Sequence, residues 1–187
     1  SETMENQQQI FWSENYALDY IKKNSIFDRE IGISAWQKML EKSGTIDSIL
    51  ELGCNIGRNI DFLNEVLPEA KKSIVEISKP AFDHVKSEYE LHYAFNGSIE
   101  NAVFDETFDL VFTSGVLIHI NPDNLLQVMG SMYDFSRKYI LIAEYFNRTP
   151  VMIEYQNQKD KLFKRDFGRL FVKNFPVKLV DYGFLWG

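Results

Sequence analysis

The sequence predicts an α/β fold in which helices cover both faces of a doubly wound, mostly parallel sheet. Apolar runs alternate with amphipathic helical patterns five times, as successive βα units do. The segment 48–59 has the pattern of a strand, a glycine turn and the start of a helix. The segment 139–145 is nearly all apolar, as a strand buried on both faces should be. A chain of 187 residues has the size of a single domain with a real core.

The first 44 residues are predicted to form a helical cap. Residues 1–3 precede Met4 and are expected to be a cloning scar. A polar helix is predicted over Gln7–Lys23, where aromatic residues recur every fourth position, and a second helix over Asp28–Lys42. The aromatic stripe either packs on the main domain or closes a ligand pocket. The stripe consists of Trp12, Tyr16 and Tyr20. The second helix is expected to face the core with Ile31, Ala35, Trp36 and Met39.

The main core is predicted over about 45–187. Helices are expected to begin at Arg58, after Ser78, after Asn121 and near Lys164, with a proline in the first turn of the second and third of these. A loop of about 15 residues follows the fifth strand, which is longer than most connections. The six predicted strands are Asp47–Leu52, Lys72–Ile77, His92–Phe95, Phe108–Thr113, Tyr139–Tyr145 and Val177–Leu185.

The charge of the chain is uneven. The net charge is −7, but the segment 147–174 has seven basic and three acidic residues, so it carries +4 and the remainder −11. A globally acidic protein is a poor general nucleic-acid binder, whereas a local basic patch suits a small anionic substrate or is simply a solvated helix face. No apolar run approaches the roughly 18 residues of a membrane span, and no signal peptide is visible. With the lone Cys54, these features lead us to expect a cytoplasmic protein.

The glycine turn carries the pattern E-x-G-x-x-x-G from Glu51 to Gly57. A dinucleotide fingerprint would need a glycine at Asn55, and a Walker loop would need Lys-Ser/Thr after the turn, so the pattern favours neither of those sites. The pattern resembles the first motif of the Rossmann-like, class I methyltransferases that use S-adenosylmethionine. In that family the acid lies near the cofactor's ammonium and the turn wraps its methionine part. The resemblance implies cofactor contacts from Glu51, Gly53, Cys54, Asn55, Gly57 and Asn59.

Glu76 ends the second predicted strand. An acid at this place in a nucleotide-binding βαβ unit accepts hydrogen bonds from both ribose hydroxyls, and Ile77 is expected to contact the cofactor beside it. Ser98 follows the third strand, where many methyltransferases have an acid for the adenine amino group, and the N–H of Ile99 can reach a ring nitrogen. The alternative for Ser98 and Ile99 is a plain turn.

The segment 108–120 is similar to the fourth-strand motif of the same methyltransferases. In that family the residues just after this strand line the methionine side and the mouth of the substrate site. The resemblance therefore implies that Thr113, Ser114 and Gly115 lie near the reacting sulfonium. His119 is a candidate general base, because an unperturbed histidine has a pKa of about 6.5. The alternative is a histidine that faces its helix and bonds to the backbone.

Glu144 ends the fifth predicted strand and is a second candidate base. Substrates of open α/β sheets bind at the carboxyl ends of the strands. A carboxylate at the end of an apolar strand is costly to bury unless it is paired, so Glu144 is expected to meet a cation, a hydroxyl or a substrate amine. Tyr145 and Asn147 are the polar neighbours expected to contact the substrate.

Longer runs of the chain are similar to the methylases associated with pseudaminic acid biosynthesis. This resemblance implies methyl transfer to an O or N atom of an anionic sugar, such as a nonulosonic acid, its precursor or a nucleotide-linked form. Lys161, Lys164 and Arg165 would then hold a carboxylate or a phosphate. No metal is implied. The runs that carry the resemblance are 51–57, 115–122, 140–145 and 159–167.

One strand of the methyltransferase sheet has no counterpart in this sequence. The methyltransferase sheet has a seventh strand, antiparallel to the sixth, which is expected to be missing because the chain stops at Gly187. An uncovered sheet edge favours pairing with a second copy, so a homodimer is expected.

Two rival functions remain open. They are a catalytically silent module with the same fold and a nicotinamide-dependent oxidoreductase. Cofactor binding without any methylated product would indicate the first, and nicotinamide binding the second.

Overall fold

Seven parallel strands form one sheet in the computed structural model, which describes residues 8–14, 26–144, 167 and 170–182. The strand order is β4-β3-β2-β5-β6-β1-β7, and every pairing is parallel. The strands are β1 (Gln8–Glu14), β2 (Ser48–Leu52), β3 (Lys71–Glu76), β4 (Ala94–Asn96), β5 (Phe108–Ser114), β6 (Ser136–Glu144) and β7 (Val177–Tyr182).

Helices lie against both faces of this sheet. They are α1 (Ile26–Leu40), α2 (Arg58–Val66), α3 (Lys79–Glu88) and α4 (Pro122–Phe135), with 3₁₀ turns at Ile99–Asn101 and Leu117–His119. Residues 170–174 are helical as well. The predicted bounds of the central strands and helices are confirmed to within a few residues. Ser78 and Asn121 cap α3 and α4 through their side-chain oxygens, as their positions before Lys79-Pro80 and Pro122 predict.

The core has two sides because successive strand residues point to opposite faces of the sheet. On one side Phe112 packs with Trp36 of α1, and both side chains are fully buried. On the other side Val111 packs with Met129 of α4, again without exposure.

The order of the strands reverses between β2 and β5, which are neighbours in the sheet. From β2 the chain adds β3 and β4 on one side, and it then returns to add β5 and β6 on the other. The carboxyl ends of β2 and β5 therefore meet at the switch point, where open α/β sheets bind ligands.

The N-terminal segment differs from the prediction. The helix predicted over Gln7–Lys23 is wrong for Gln8–Glu14, which form β1 between β6 and β7, with Phe11 opposite Leu141. The physical reason is tertiary: two neighbouring strands offer backbone partners on both sides, and this outweighs a weak local helical pattern. Tyr16 and Tyr20 lie outside the described residues. The helix predicted at Asp28–Lys42 is confirmed as α1, with Ala35, Trp36 and Met39 buried.

The N-terminal β1 brings the described sheet to seven strands, but it pairs parallel with both neighbours, so it is not the antiparallel seventh strand of the methyltransferase sheet. The edges of the described sheet are β4 and β7. Pairing of an edge with a second copy stays a prediction. No helix within the described part of the chain is long and apolar enough to cross a bilayer.

A buried carboxylate ties the amino ends of three strands together. Asp109 of β5 is only 1% exposed. Its Oδ2 accepts the backbone N–H of Asp47 at 2.7 Å, and its Oδ1 accepts two hydrogen bonds from the Arg137 guanidinium of β6, at 2.8 and 2.6 Å. Its own N–H donates to Ser48 Oγ of β2 at 2.9 Å. These contacts lie at the edge of the sheet opposite the glycine turn, so they serve the fold rather than the candidate site.

Candidate active site

The glycine turn after β2 has a left-handed backbone at three positions. Gly53, Asn55 and Gly57 have φ values of 77°, 51° and 86°. A Cβ on Gly53 would lie 2.7 Å from a methyl group of Val116, and one on Gly57 would lie 3.0 Å from Val85. Glycine is therefore required at both ends of the turn by conformation and by close packing. The turn brings backbone N–H groups and the first turn of α2 to the carboxyl end of the sheet.

Glu76 connects the end of β3 to this turn. Its side chain is 7% exposed. Oε1 accepts the N–H of Asn55 and Oε2 accepts the N–H of Ser78, each at 2.7 Å. A carboxylate has about four acceptor positions, so two remain for a ligand. The two backbone bonds fix the side chain at the place where the sequence predicts a ribose contact.

Glu51 lies on the next strand, at 1% exposure. Its Oε2 accepts a hydrogen bond from Asn59 Nδ2 at 3.2 Å, and Asn59 Oδ1 accepts one from Trp36 Nε1 at 3.1 Å. A buried row of polar groups thus runs from helix α1 through α2 to the acid before the glycine turn. The helical pattern predicts a core position for Trp36, whereas its contact with Asn59 has no signal in the sequence.

Cys54 lies inside the turn, 5% exposed. Burial, and then the negative charges of Glu51 and Glu76, raise the pKa of its thiol. A buried thiol with a raised pKa is a poor nucleophile at neutral pH.

The loop after β4 is held to the end of β3. Gly97 N–H and Asn96 Nδ2 both donate to the Glu76 carbonyl, at 3.1 and 2.9 Å. Ile99 is 8% exposed and its side chain packs in the core. Ile77 is 72% exposed directly after Glu76. Ser98 in this loop and Ile77 after β3 lie at the same edge of the sheet as the glycine turn.

The end of β5 meets the turn from the other side. Thr113 and Ser114 are buried, and Thr113 Oγ1 has no hydrogen-bond partner among the described residues. Gly115 has φ of 67° and donates its N–H to the Ala143 carbonyl at 2.7 Å. The chain then passes over Gly53 through Val116, a contact the sequence did not predict. His119 is exposed at the end of the 3₁₀ turn, where its N–H donates to the Val116 carbonyl at 3.0 Å.

The end of β6 lies at the same edge of the sheet. Glu144 ends β6, opposite Glu14 of β1, at the same edge of the sheet as Glu51 and Glu76. The predicted substrate contacts Tyr145, Asn147, Lys161, Lys164 and Arg165 lie outside the described residues.

The residues at this edge suit a cationic nucleoside better than a metal or a pyrophosphate. Two buried carboxylates on neighbouring strands flank a turn with a left-handed backbone, and an exposed apolar side chain, Ile77, lies next to one of them. Acids at both strand ends match the ammonium and ribose hydroxyls of S-adenosylmethionine, and repel a pyrophosphate. Within the described ranges no group of three or more His, Cys, Asp or Glu residues is placed to hold a metal ion.

Comparisons with known proteins indicate the class of this domain and its fold. Residues 49–138, just under half of the chain, match the family model of a methyltransferase domain. No curated protein matches the chain. The plantazolicin methyltransferase BpumL, solved with S-adenosylhomocysteine, has a TM-score of 0.58 at 16% identity, over 84% of this chain and 67% of its own.

Two further similar structures are those of proteins described as sugar methyltransferases. The sugar N-methyltransferase KedS8 from Streptoalloteichus has a TM-score of 0.54 at 17% identity, over 73% of this chain and 56% of its own. The amino pentose methyltransferase CalS10 from Micromonospora echinaspora, solved with S-adenosylmethionine, has a TM-score of 0.52 at 11% identity, over 64% and 50%.

The predicted fold class, a Rossmann-like class I methyltransferase fold, is confirmed. Residues 49–138 match a methyltransferase domain, which confirms the predicted enzyme class, a methyltransferase, for that segment. Solved structures with the same fold contain S-adenosylhomocysteine or S-adenosylmethionine, which supports the predicted cofactor. The chain spans half to two-thirds of the length of these three solved proteins and shares less than a fifth of their residues. The activity of the whole protein, its acceptor and its partners are therefore proposals.

Proposed function

We propose that the protein transfers a methyl group from S-adenosylmethionine to an O or N atom of an anionic sugar. The observation that carries this proposal is the pair of buried acids, Glu51 and Glu76, at the ends of neighbouring strands on either side of a left-handed glycine turn. A methyltransferase family model covers this same segment.

The cofactor would be held along the carboxyl edge of β2, β3 and β4. Glu76 has two acceptor positions left for the ribose hydroxyls, after its bonds to Asn55 and Ser78. Ile77 offers an exposed apolar surface for the adenine ring, and Glu51 offers a negative charge for the ammonium. The turn from Gly53 to Gly57 wraps the methionine part.

When bound, S-adenosylmethionine supplies a methyl carbon activated by its sulfonium, so the leaving group needs no further help. The task of the chain is to align the acceptor at roughly 3 to 3.5 Å from that carbon and to exclude water. The loop from Gly115 to His119 and the end of β6 border this space. A base is needed only where the acceptor must lose a proton, and His119 and Glu144 are the candidates.

Three observations support a sugar acceptor. Two solved structures with this fold, KedS8 and CalS10, are a sugar N-methyltransferase and an amino pentose methyltransferase. The segment 147–174 carries +4 in an otherwise acidic chain, which suits a carboxylate or a phosphate on the sugar. The similarity to methylases of pseudaminic acid biosynthesis supports a nonulosonic acid, its precursor or its nucleotide-linked form.

The proposal is tested by an acceptor panel with methyl-labelled S-adenosylmethionine and mass spectrometry. The panel consists of a nucleotide-linked amino sugar, its N-acetylated form, a neutral hexose and a nonulosonic acid. We expect one added methyl group on an anionic sugar and none on the neutral hexose. Loss of labelling on N-acetylation identifies nitrogen as the acceptor, whereas retained labelling identifies oxygen. Methylation of the neutral hexose alone would contradict the anionic acceptor.

A further inference from the structure

We infer that Asn59 and Trp36 are positioning residues, which hold the Glu51 carboxylate toward the cofactor's ammonium without touching the cofactor themselves. This inference rests on the proposed function. It assigns a role to the contact between α1 and α2, and it gives Asn59 a different role from the direct cofactor contact that the sequence suggests.

The direction of the hydrogen bonds is fixed by Trp36. An indole N–H only donates, so the atom of Asn59 that lies 3.1 Å from it must be the amide oxygen. The other end of the amide, the NH₂ group, is then the end that lies 3.2 Å from Glu51 Oε2. A donor is what an ionised carboxylate can accept. Trp36 thus selects the amide orientation that holds Glu51 by a hydrogen bond to a charged group.

Close packing restricts the movement of the three side chains that form these hydrogen bonds. Trp36 is fully buried, with its ring edge-on to Phe112 at 4.8 Å between centroids. Asn59 is 8% exposed in the first turn of α2, and Glu51 is 1% exposed. Arg29 of α1 pairs with Asp61 of α2 at 2.9 Å, which holds the two helices together beside the row. Because both ends of the Asn59 amide are engaged within the protein, its effect on a ligand passes through Glu51.

Loss of the hydrogen bonds to Glu51 should weaken binding of only one part of the cofactor, its amino acid part. S-adenosylhomocysteine carries the amino acid part that Glu51 would meet, whereas 5′-methylthioadenosine has the same nucleoside and lacks that part. A change in the orientation of Glu51 should weaken the first ligand and spare the second. A general disturbance of the fold should weaken both.

The experiment is calorimetric titration of the full chain and its variants with these two ligands. For Asn59→Leu we expect affinity for S-adenosylhomocysteine to fall about 10- to 100-fold, the size typical of a hydrogen bond to a charged group, with 5′-methylthioadenosine changed less than about twofold. Trp36→Phe keeps the ring but loses the donor, so we expect a smaller loss, of about 2- to 10-fold, with the same selectivity. The matched control is Asn64→Leu, on the same helix and partly exposed, which should change neither affinity.

The pair Glu51→Gln and Asn59→Leu tests whether the two residues act as one unit. Glu51→Gln alone should show the same ligand selectivity, and adding Asn59→Leu should reduce affinity for S-adenosylhomocysteine by less than about threefold more. Equal losses for both ligands in Asn59→Leu and Trp36→Phe would overturn the inference, as would no loss for either ligand. Binding of neither ligand by the folded wild-type chain would instead contradict the proposed function, and the inference with it.

Discussion

The carboxylate of Glu76 accepts the backbone N–H of Asn55 at 2.7 Å. The acid at the end of β3 therefore supports the left-handed middle of the turn that follows β2, where Asn55 has φ of 51°. One side chain shapes the turn and at the same time offers acceptors at the ligand edge. Loss of this acid should affect both roles.

Glu76→Ala should lower affinity for S-adenosylhomocysteine at least about tenfold, because the ribose acceptors and the support of the turn are lost together. Glu88→Ala, at the exposed end of α3, is the control and should leave affinity unchanged. Titration calorimetry measures both. Wild-type affinity in Glu76→Ala would show that the ribose does not bind at the end of β3.

Gly53→Ala should destabilise the fold by about 1–3 kcal/mol, because its Cβ would lie 2.7 Å from Val116 at a backbone φ of 77°. Adding Val116→Ala should restore the steric part only. Gly130→Ala in α4 is the control, since its Cβ would meet only ordinary contacts at 3.9 Å, and it should stabilise by about 0.5–1 kcal/mol. Denaturant unfolding measures all three. No recovery in the double variant would show that Val116 is not the obstacle.

Asp109→Ala should lower the free energy of unfolding by about 2–4 kcal/mol, because the Asp47 N–H and the Arg137 guanidinium lose their acceptor. The exposed Asp105→Ala serves as control and should cost little. Unfolding in urea at neutral pH measures the difference, and equal stability of the two variants would contradict the role of Asp109.

The same residue predicts a pH dependence. Burial pushes the pKa of Asp109 up, but the hydrogen bonds from Asp47 and Arg137 outweigh it and hold that pKa below the ordinary value. The stabilisation is therefore complete above the ordinary aspartate pKa of about 3.9 and is lost as pH falls through the lower pKa of the folded protein. The stability difference between wild type and Asp109→Asn should shrink on acidification in that range. A difference that grows there would contradict the sign.

Cys54 should react slowly with thiol reagents in the folded protein. Burial and the charges of Glu51 and Glu76 raise the pKa of its thiol, so the reactive thiolate is scarce at neutral pH. Alkylation followed by mass spectrometry should show modification in denaturant and little without it. Rapid labelling of the native chain would contradict the buried position of Cys54.

Local signals predicted the centre of the fold. The pattern of β2, the glycine turn and α2 is continuous in sequence, so the helix start at Arg58 and the strand end at Glu76 follow from residues next to them. The glycines at 53 and 57 indicate a tight turn by residue type alone, and both have a positive φ. The position of Glu51 and Glu76 at one edge of the sheet could also be predicted, because parallel strands bring their carboxyl ends to the same edge.

Contacts between residues far apart in the chain could not be predicted from local patterns. Gln8–Glu14 form a strand only because β6 and β7 lie on either side of them, which no local pattern shows. The contact of Trp36 with Asn59 depends on how α1 packs on α2, and that of Val116 with Gly53 on the path of the chain after β5. Each depends on tertiary packing rather than on local preference.

A crystal structure of the chain with S-adenosylhomocysteine tests the central claim most directly. We predict ribose hydroxyls within hydrogen-bonding distance of Glu76, the amino group beside Glu51, and adenine against Ile77. The ligand bound at any other edge of the sheet, or at this edge with its ribose away from Glu76, would contradict the account.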